Sequence, residues 1–452
     1  MARDKLERTL VTETTKQIGK KVLLKGWVKS IRDHGKITFI DLRDRSGIVQ
    51  CVGEKLLKVF PESVVEIIGK VTERPKELVN PKLKTGTVEV EVKEIKVLAK
   101  AQELPLDMGG KDLELTLPTL LDNRSLTLRH PKIKAIFKIQ ETITQTFRDA
   151  LKKKDFTEFE APTIVPVATE GGAEIFPVSY YDYNAYLGQS PQLYKQIMVS
   201  IFERVYTVGR AYRAEPSVTT RHLSEYISLD CEFGFIDSWT ELMDMAEYSI
   251  REMFSAIEKN CKKELAMYEA VVPKLSKKIP RLKMREAQQI IFERTGRDNR
   301  KEPDLEPEDE REICRWSQEK HDSEFVFITH FPTSKRPFYT YPDPKDPEYT
   351  LSFDLLGRGL ELITGGQRIN DYGQLLANIK KWKLNPDDFS IYLQAFKYGM
   401  PPEGGFALGA ERITMQILGL KNIREASLFP RDMERVDVRL STLKRSKKKS
   451  KK

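Results

Sequence analysis

Five strand-like stretches crowd into the first hundred residues, and that density leaves few folds open. Val22–Val28, Ile37–Arg43 and Gly47–Val52 are rich in β-branched and apolar residues, with a turn at Asp44-Arg45-Ser46-Gly47 between the second and third. Val64–Val71 and the alternating Thr87–Val92 complete the set, and a short helix is expected over Glu54–Phe60. Strands this short and this close predict a small barrel, for which the oligonucleotide-binding barrel is a common solution.

The pattern then changes. Residues 101–128 read as a mixed linker containing Pro105, Gly109-Gly110 and Pro118. A long helix is predicted from Pro131, which suits a first helical position. Its apolar stripe runs through Ile136, Ile139, Ile143, Phe147, Ala150 and Leu151, and it ends at Lys152-Lys153-Lys154. A strand is expected at Phe156–Glu160, stopped by Pro162. Residues 237–330 read as mostly helical around a charged loop, Arg294–Glu310. Strands return at Phe325–Thr329 and Thr350–Leu355, and helices at 372–383 and 409–419 close the region. Runs of strands beside runs of helices argue for an α+β chain with an antiparallel sheet. The expected boundaries are a barrel over 1–104, a hinge over 105–130, a larger domain over 131–438 and a basic tail over 439–452.

Composition mainly excludes. No apolar run approaches the length of a membrane span, and Met1–Arg8 has no apolar stretch like that of a signal peptide, so a cytoplasmic protein is expected. Cys51, Cys231, Cys261 and Cys314 are scattered without zinc-ligand spacing, which favours free thiols. Of the net charge of +9, seven charges fall in the last nine residues, leaving the body at +2. That tail reads either as a sequence-independent attraction for nucleic acid or as a solubilising arm.

The chemistry concentrates in two places. Residues 204–235 read as two strands, Arg204–Glu215 and Leu223–Phe235, around a loop at Pro216–His222. On the second strand Ile227, Leu229, Cys231 and Phe233 alternate with Tyr226, Ser228, Asp230 and Glu232. Period two puts the second set on one open face, next to Arg213 and Glu215. Gly404-Gly405-Phe406-Ala407-Leu408-Gly409 opens the last helix and places Arg412 in its first turn. A cation there is disfavoured unless an anion is present. Two arginine forks in such settings suit a polyphosphate. Glu361 and Thr364, with Asp354 seven residues before Glu361, offer hard oxygens for Mg²⁺. A solvated face, an ordinary surface arginine and a strand-end salt bridge are the plain alternatives.

Taken in order, these features resemble motifs 1, 2 and 3 of the class II aminoacyl-tRNA synthetases. The helix and strand ending at Pro162 stand for the first, Tyr212-Arg213-Ala214-Glu215 for the second and Gly409-Ala410-Glu411-Arg412 for the third. Thr220-Arg221-His222-Leu223 and the N-terminal barrel are similar to the aspartyl/asparaginyl group, closest to its aspartyl branch of archaeal and eukaryotic type, over about residues 15–435.

The resemblance implies roles. Arg213 grips the amino-acid carboxylate and the α-phosphate of ATP. Ala214, Glu215, Arg221, His222 and Leu223 line the ATP site, and Tyr226 stacks on adenine. Gly409, Ala410, Glu411 and Arg412 meet the γ-phosphate end. Glu361 and Thr364 hold Mg²⁺ with help from Asp354. Lys195 and Arg368 select aspartate, Glu170 and Gln192 hold its amino end, and Asp230 and Thr364 belong to the same pocket. In the barrel Phe39 and Gln50, with Arg32 nearby, read the central anticodon base.

The implied partners are L-aspartate, tRNA-Asp with tRNA-Asn left open, and a second copy of the chain docked through the Ile133–Leu151 helix and Pro162. Lys195 and Phe429-Pro430-Arg431-Asp432 favour the aspartyl over the asparaginyl reading. A tRNA-independent amidating enzyme on the same core is disfavoured by the barrel, and an RNA-binding paralogue without activity is a further alternative. Its relatives usually lose Arg213, Glu361 or Arg412, all present here. The chain departs from the family at Asn370, where a His is usual, and at Lys29, where an aromatic or His is usual.

Overall fold

A computed structural model describes residues 6–54, 59–168, 174–216 and 218–443. The chain divides into two units, Met1–Glu114 and Leu115–Lys452. The expected Glu54–Phe60 helix falls largely on residues 55–58, outside the described residues, as do the Thr169–Gly172 loop and the basic tail from residue 444.

In the first unit, β1 (Lys21–His34), β2 (Ile37–Arg43), β3 (Ile48–Glu54), β4 (Val64–Glu73) and β5 (Val88–Ala99) follow the order β1-β2-β3-β5-β4. β4 returns to pair with β1. The seam between β3 and β5 is a parallel contact of only two residue pairs, Cys51–Val90 and Val52–Glu91. Alternate residues fill the interior: Val22, Leu24 and Val28 of β1, Ile40 and Leu42 of β2, Val49 and Cys51 of β3, Val65 and Ile67 of β4. Each such side chain contributes about 1.5–3 kcal/mol by leaving water. Gly26 is required where β1 crosses β2, because a Cβ there would stand 2.4 Å from the Arg43 carbonyl oxygen.

The second unit begins with two short helical turns, Leu117–Asp122 and Arg124–Thr127, inside the stretch read as a linker. Helix α1 (Pro131–Lys152) starts at its proline, where His130 accepts a hydrogen bond from the Lys132 amide. Ile136, Ile139, Ile143, Phe147 and Leu151 form its buried stripe.

An eight-stranded sheet forms the floor of this unit. Its strands are β6 (Thr157–Glu158), β7 (Arg204–Tyr212), β8 (Glu225–Gly234), β9 (Arg281–Lys283), β10 (Phe325–Thr329), β11 (Ser352–Gly357), β12 (Leu360–Gln367) and β13 (Glu403–Gly409). They run in the order β9-β10-β11-β12-β13-β8-β7-β6. The interior pairs are antiparallel as expected; the edges β9/β10 and β6/β7 are parallel. Helix α2 (Gln192–Phe202) packs on β8 and β7, α3 (Thr240–Asn260) lies against α1, α5 (Ser390–Lys397) packs on α2, and α6 (Ala410–Leu418) follows β13 directly.

Three local readings need correction. The strand expected at Phe156–Glu160 is only Thr157–Glu158, because just two of its residues pair with β7. The hairpin strands stop at Tyr212 and start at Glu225, so Arg213, Glu215 and Leu223 lie on the turn rather than on a strand face. The charged loop read as Arg294–Glu310 is shortened at both ends. A helix continues to Thr295, and α4 (Pro307–His321) begins with Glu308, Asp309 and Glu310 in its first turn, where acids favour the helix dipole.

Candidate active site

The turn between β7 and β8, the first half of β12 and the start of α6 enclose a cleft of ≈ 850 Å³. Arg213, Glu215, Arg221, His222, Leu223, Tyr226, Glu361, Gly409, Glu411 and Arg412 all line it, with Thr364 and Ile423. Of the residues expected around ATP, only Ala214 and Ala410 stand behind its walls. Ala214 instead ties the turn to Glu174 through its amide, and Ala410 is fully buried.

The guanidiniums in the cleft lean on local acceptors. The Arg213 guanidinium carbon lies 5.7 Å from the centre of the Tyr226 ring. Arg412 Nη1 donates to the Glu361 carbonyl at 3.0 Å and to its carboxylate at 3.3 Å. Arg221 is held by Glu310, on the first turn of α4, at 2.8 Å. Burial pushes Glu310 up to about 7 even though Arg221 pulls it down. Burial, then the nearby Arg412, lowers His222. Glu411 turns inward: both its carboxylate oxygens accept from the Ile227 amide at 3.1 Å, and burial raises it to about 7. It therefore fixes α6 to β8.

The hard-oxygen residues meet at the β11/β12 pair, where Asp354 is opposite Thr364. Arg336 reaches both, donating to Asp354 Oδ2 at 2.8 Å and to Thr364 Oγ1 at 3.1 Å. Asp354 Oδ1 is buried without a hydrogen-bond partner. Burial, with the neighbouring Glu361 adding to it against Arg336, raises Asp354 to about 6. No group of three or more His, Cys, Asp or Glu side chains forms a metal cage among the described residues. Two carboxylates and a hydroxyl still fit Mg²⁺, which keeps few protein ligands and completes its shell with phosphate and water oxygens.

Beyond the cleft, the expectation of an open polar face on β8 fails. Ser228, Asp230 and Glu232 are as buried as the apolar residues that alternate with them, and α2 lays Lys195 over Asp230 and Glu232. Lys195 Nζ stands 3.1 Å from Asp230 Oδ1 and 3.0 Å from Glu232 Oε2. Arg368 Nε is 2.7 Å from Glu232 Oε1, while its Nη2 reaches Gly405 O at 3.2 Å and Gln192 Oε1 at 3.5 Å. Burial alone would lower Lys195, but Glu232 and Asp230 outweigh it and hold the ammonium above its usual range. Burial alone would raise Glu232, but Arg368 and Lys195 outweigh it and keep the carboxylate ionised. Gly405 is needed here, since a Cβ would meet Cys231 O at 2.0 Å and Glu232 Oε2 at 2.2 Å.

Lys195, Arg368, Gln192 and Asp230 thus come together as expected, around a carboxylate the sequence reading had assigned only to an open face. Glu170 lies outside the described residues. Glu310, Arg336, Gln196 and Glu403 were missed. Only Gln196 carries a local signal, since Gln192, Lys195 and Gln196 share one helix face at i, i+3 and i+4.

On the outer surface of the first unit, Phe39 is partly exposed and meets His34 edge-on at 5.7 Å. It is not part of the barrel core. Arg32 Nη2 donates to Asp41 and to Gln50 Oε1, both at 3.1 Å, and Gln50 donates to Glu89 at 2.9 Å. An aromatic beside an ordered amide and guanidinium can stack on one base and read its edge. Lys29 is exposed at the bulge between Val28 and Ser30, where the register with β2 shifts. Asn370 donates to the Met400 carbonyl at 3.2 Å.

Residues 116–433 match the family described as tRNA synthetases class II (D, K and N), and residues 22–98 match the OB-fold nucleic acid binding domain. The chain belongs to the class II tRNA synthetases, which are ATP-dependent aminoacyl-tRNA ligases. Within them its relatives are narrower in kind. The Aspartate--tRNA(Asp/Asn) ligase of Deinococcus radiodurans is 41% identical over 437 residues, covering 95% of this chain and 99% of the relative. The Aspartate--tRNA(Asp) ligase of Pyrococcus abyssi is 40% identical over 434 residues, covering 94% and 98%. The crystal structure of asparaginyl-tRNA synthetase from Pyrococcus horikoshii with asparaginyl-adenylate is similar at a TM-score of 0.86 and 33% identity, covering 95% of this chain and 99% of that one.

Proposed function

We propose that the protein activates L-aspartate with ATP and transfers the aspartyl group to the 3′ end of tRNA-Asp. In the first step a carboxylate oxygen of aspartate attacks the α-phosphorus, the bond to the bridging oxygen breaks and pyrophosphate leaves. In the second, a hydroxyl of the terminal ribose attacks the aspartyl carbonyl and AMP leaves. Neither step needs a strong protein base; both need reactants held in line and negative charge neutralised. Arg213, beside the Tyr226 ring, would take the α-phosphate, and Arg412 the far end of the triphosphate. Asp354, Glu361 and Thr364 would hold Mg²⁺, whose chemistry is to neutralise phosphate oxygens.

The observation that carries the choice of aspartate is the buried pair of cations, Lys195 and Arg368, already satisfied by the Glu232 carboxylate. Another carboxylate can compete for them, whereas the neutral amide of asparagine cannot displace an ion pair. The asparaginyl likeness of the fold therefore does not decide the substrate. The same reading places the protein in the cytoplasm as a homodimer joined through α1 and Pro162. No helix among the described residues is long and apolar enough to cross a membrane.

Charging tRNA-Asp and tRNA-Asn transcripts side by side tests the acceptor. Aspartylation of tRNA-Asp is expected. A rate on tRNA-Asn below about a hundredth of that on tRNA-Asp, a gap of roughly 2.7 kcal/mol, defines a single-acceptor enzyme. No aspartylation of either transcript contradicts the reading.

A further inference from the structure

Beside the aspartate pocket lies a buried acid that neither activation nor transfer uses. Glu403 opens β13 and is 0% exposed. Its Oε1 accepts from Gln196 Nε2 at 2.7 Å. Gln196 Oε1 in turn accepts from Gln192 at 3.1 Å and from Tyr392 at 3.0 Å. Glu403 Oε2 has no hydrogen-bond partner. Glu403 takes part in none of the ion pairs among the described residues, whereas Glu232 has two. A sealed carboxylate served only by an amide cannot stay ionised at ordinary pH. Burial first, then the charge of Glu232 next to it, pushes Glu403 well above the usual carboxylate range. It is a neutral acid whose carboxyl lies within hydrogen-bonding reach of the ionised Glu232.

Glu232 occupies the two cations that the substrate needs. When a side-chain carboxylate draws on Lys195 and Arg368, Glu232 is left as a buried anion short of partners. Removing the partner of a buried charge is among the costliest changes a protein interior can suffer. We propose that Glu403 is a positioning residue that holds a proton and donates it in a hydrogen bond to Glu232 as aspartate takes over Lys195 and Arg368. The cations are then exchanged between two carboxylates without stranding either. This rests on the aspartate reading above.

The test is aspartate-dependent exchange of pyrophosphate into ATP with the E403Q and E403L variants. The glutamine amide can still donate, so E403Q keeps KM for aspartate within about threefold of the parent. E403L removes the donor and raises KM for aspartate by about tenfold or more, with KM for ATP within about twofold. An unchanged KM for aspartate in E403L, or equal impairment of both variants, overturns the proposal. Because leucine in this core can also impair folding, infrared difference spectra of the parent protein give a second readout. Adding aspartate should shift a protonated-carboxyl C=O band that E403Q lacks, and adding ATP alone should not. Absence of any such band overturns the proposal as well. A parent enzyme with no aspartate-dependent exchange at all would instead remove the functional reading on which the proposal stands.

Discussion

In the nucleotide cleft, Arg221 and Arg412 keep 24% and 23% of their side-chain surface exposed, and the acids they rest on, Glu310 and Glu361, keep 14% and 37%. In the amino-acid pocket a few residues away, Lys195 and Arg368 are 1% and 7% exposed and close on a Glu232 that is fully buried. The same sheet supports both sites, yet it treats charge in opposite ways. Part-exposed pairs are weak, so phosphates can replace the local acceptors at little cost. Sealed pairs break only for a ligand that supplies an equivalent charge. On the proposed reading the cleft can therefore serve any amino acid, and the pocket carries the discrimination.

The contrast can be broken by removing one cation from each site. Lys195→Met strands Asp230 in the interior and leaves Glu232 with Arg368 alone, and thermal or urea unfolding should show a loss of about 3–5 kcal/mol. Arg412→Met should change stability by less than about 1 kcal/mol, yet lower the rate of pyrophosphate exchange by about 10²–10³-fold. Equal effects on stability would erase the distinction between the two sites.

A smaller effect sharpens it. Asp354 titrates at about 6 because burial raises it, so it is ionised above that pH and protonated below it. The Mg²⁺ concentration needed for half-maximal exchange should rise about tenfold for each pH unit below 6. The aspartate pocket has no cation that titrates in this range, so KM for aspartate at saturating Mg²⁺ should stay flat. A Mg²⁺ requirement that does not change between pH 5 and 7 would separate Asp354 from the metal.

The two sites also differed in how far the sequence revealed them. Arg213, Glu215 and Arg412 are marked by local context: a polar hairpin and a glycine-rich entry into a helix. Those signals survive in the structure even though the strands end sooner than expected. The pocket depends on what covers β8. Alternation along Tyr226–Phe233 separates two faces but cannot say whether a helix seals the polar one. The lid comes from α2, some thirty residues earlier in the chain. Glu403 and Arg336 arrive from segments with no pattern of their own, so only long-range packing brings them in. In the barrel, only the family resemblance marked Phe39, whose residue type alone suits a core, and the seam between β3 and β5 had no sequence sign.

The central claim is that a buried carboxylate-for-carboxylate exchange at Lys195 and Arg368 selects the amino acid. Pyrophosphate exchange into ATP, measured for the intact chain with aspartate and with asparagine at equal concentrations, tests it most directly. The account predicts exchange with aspartate and a kcat/KM for asparagine lower by about four orders of magnitude, as expected when a buried polar site is left unpaired. Exchange with asparagine equal to or faster than with aspartate would contradict it.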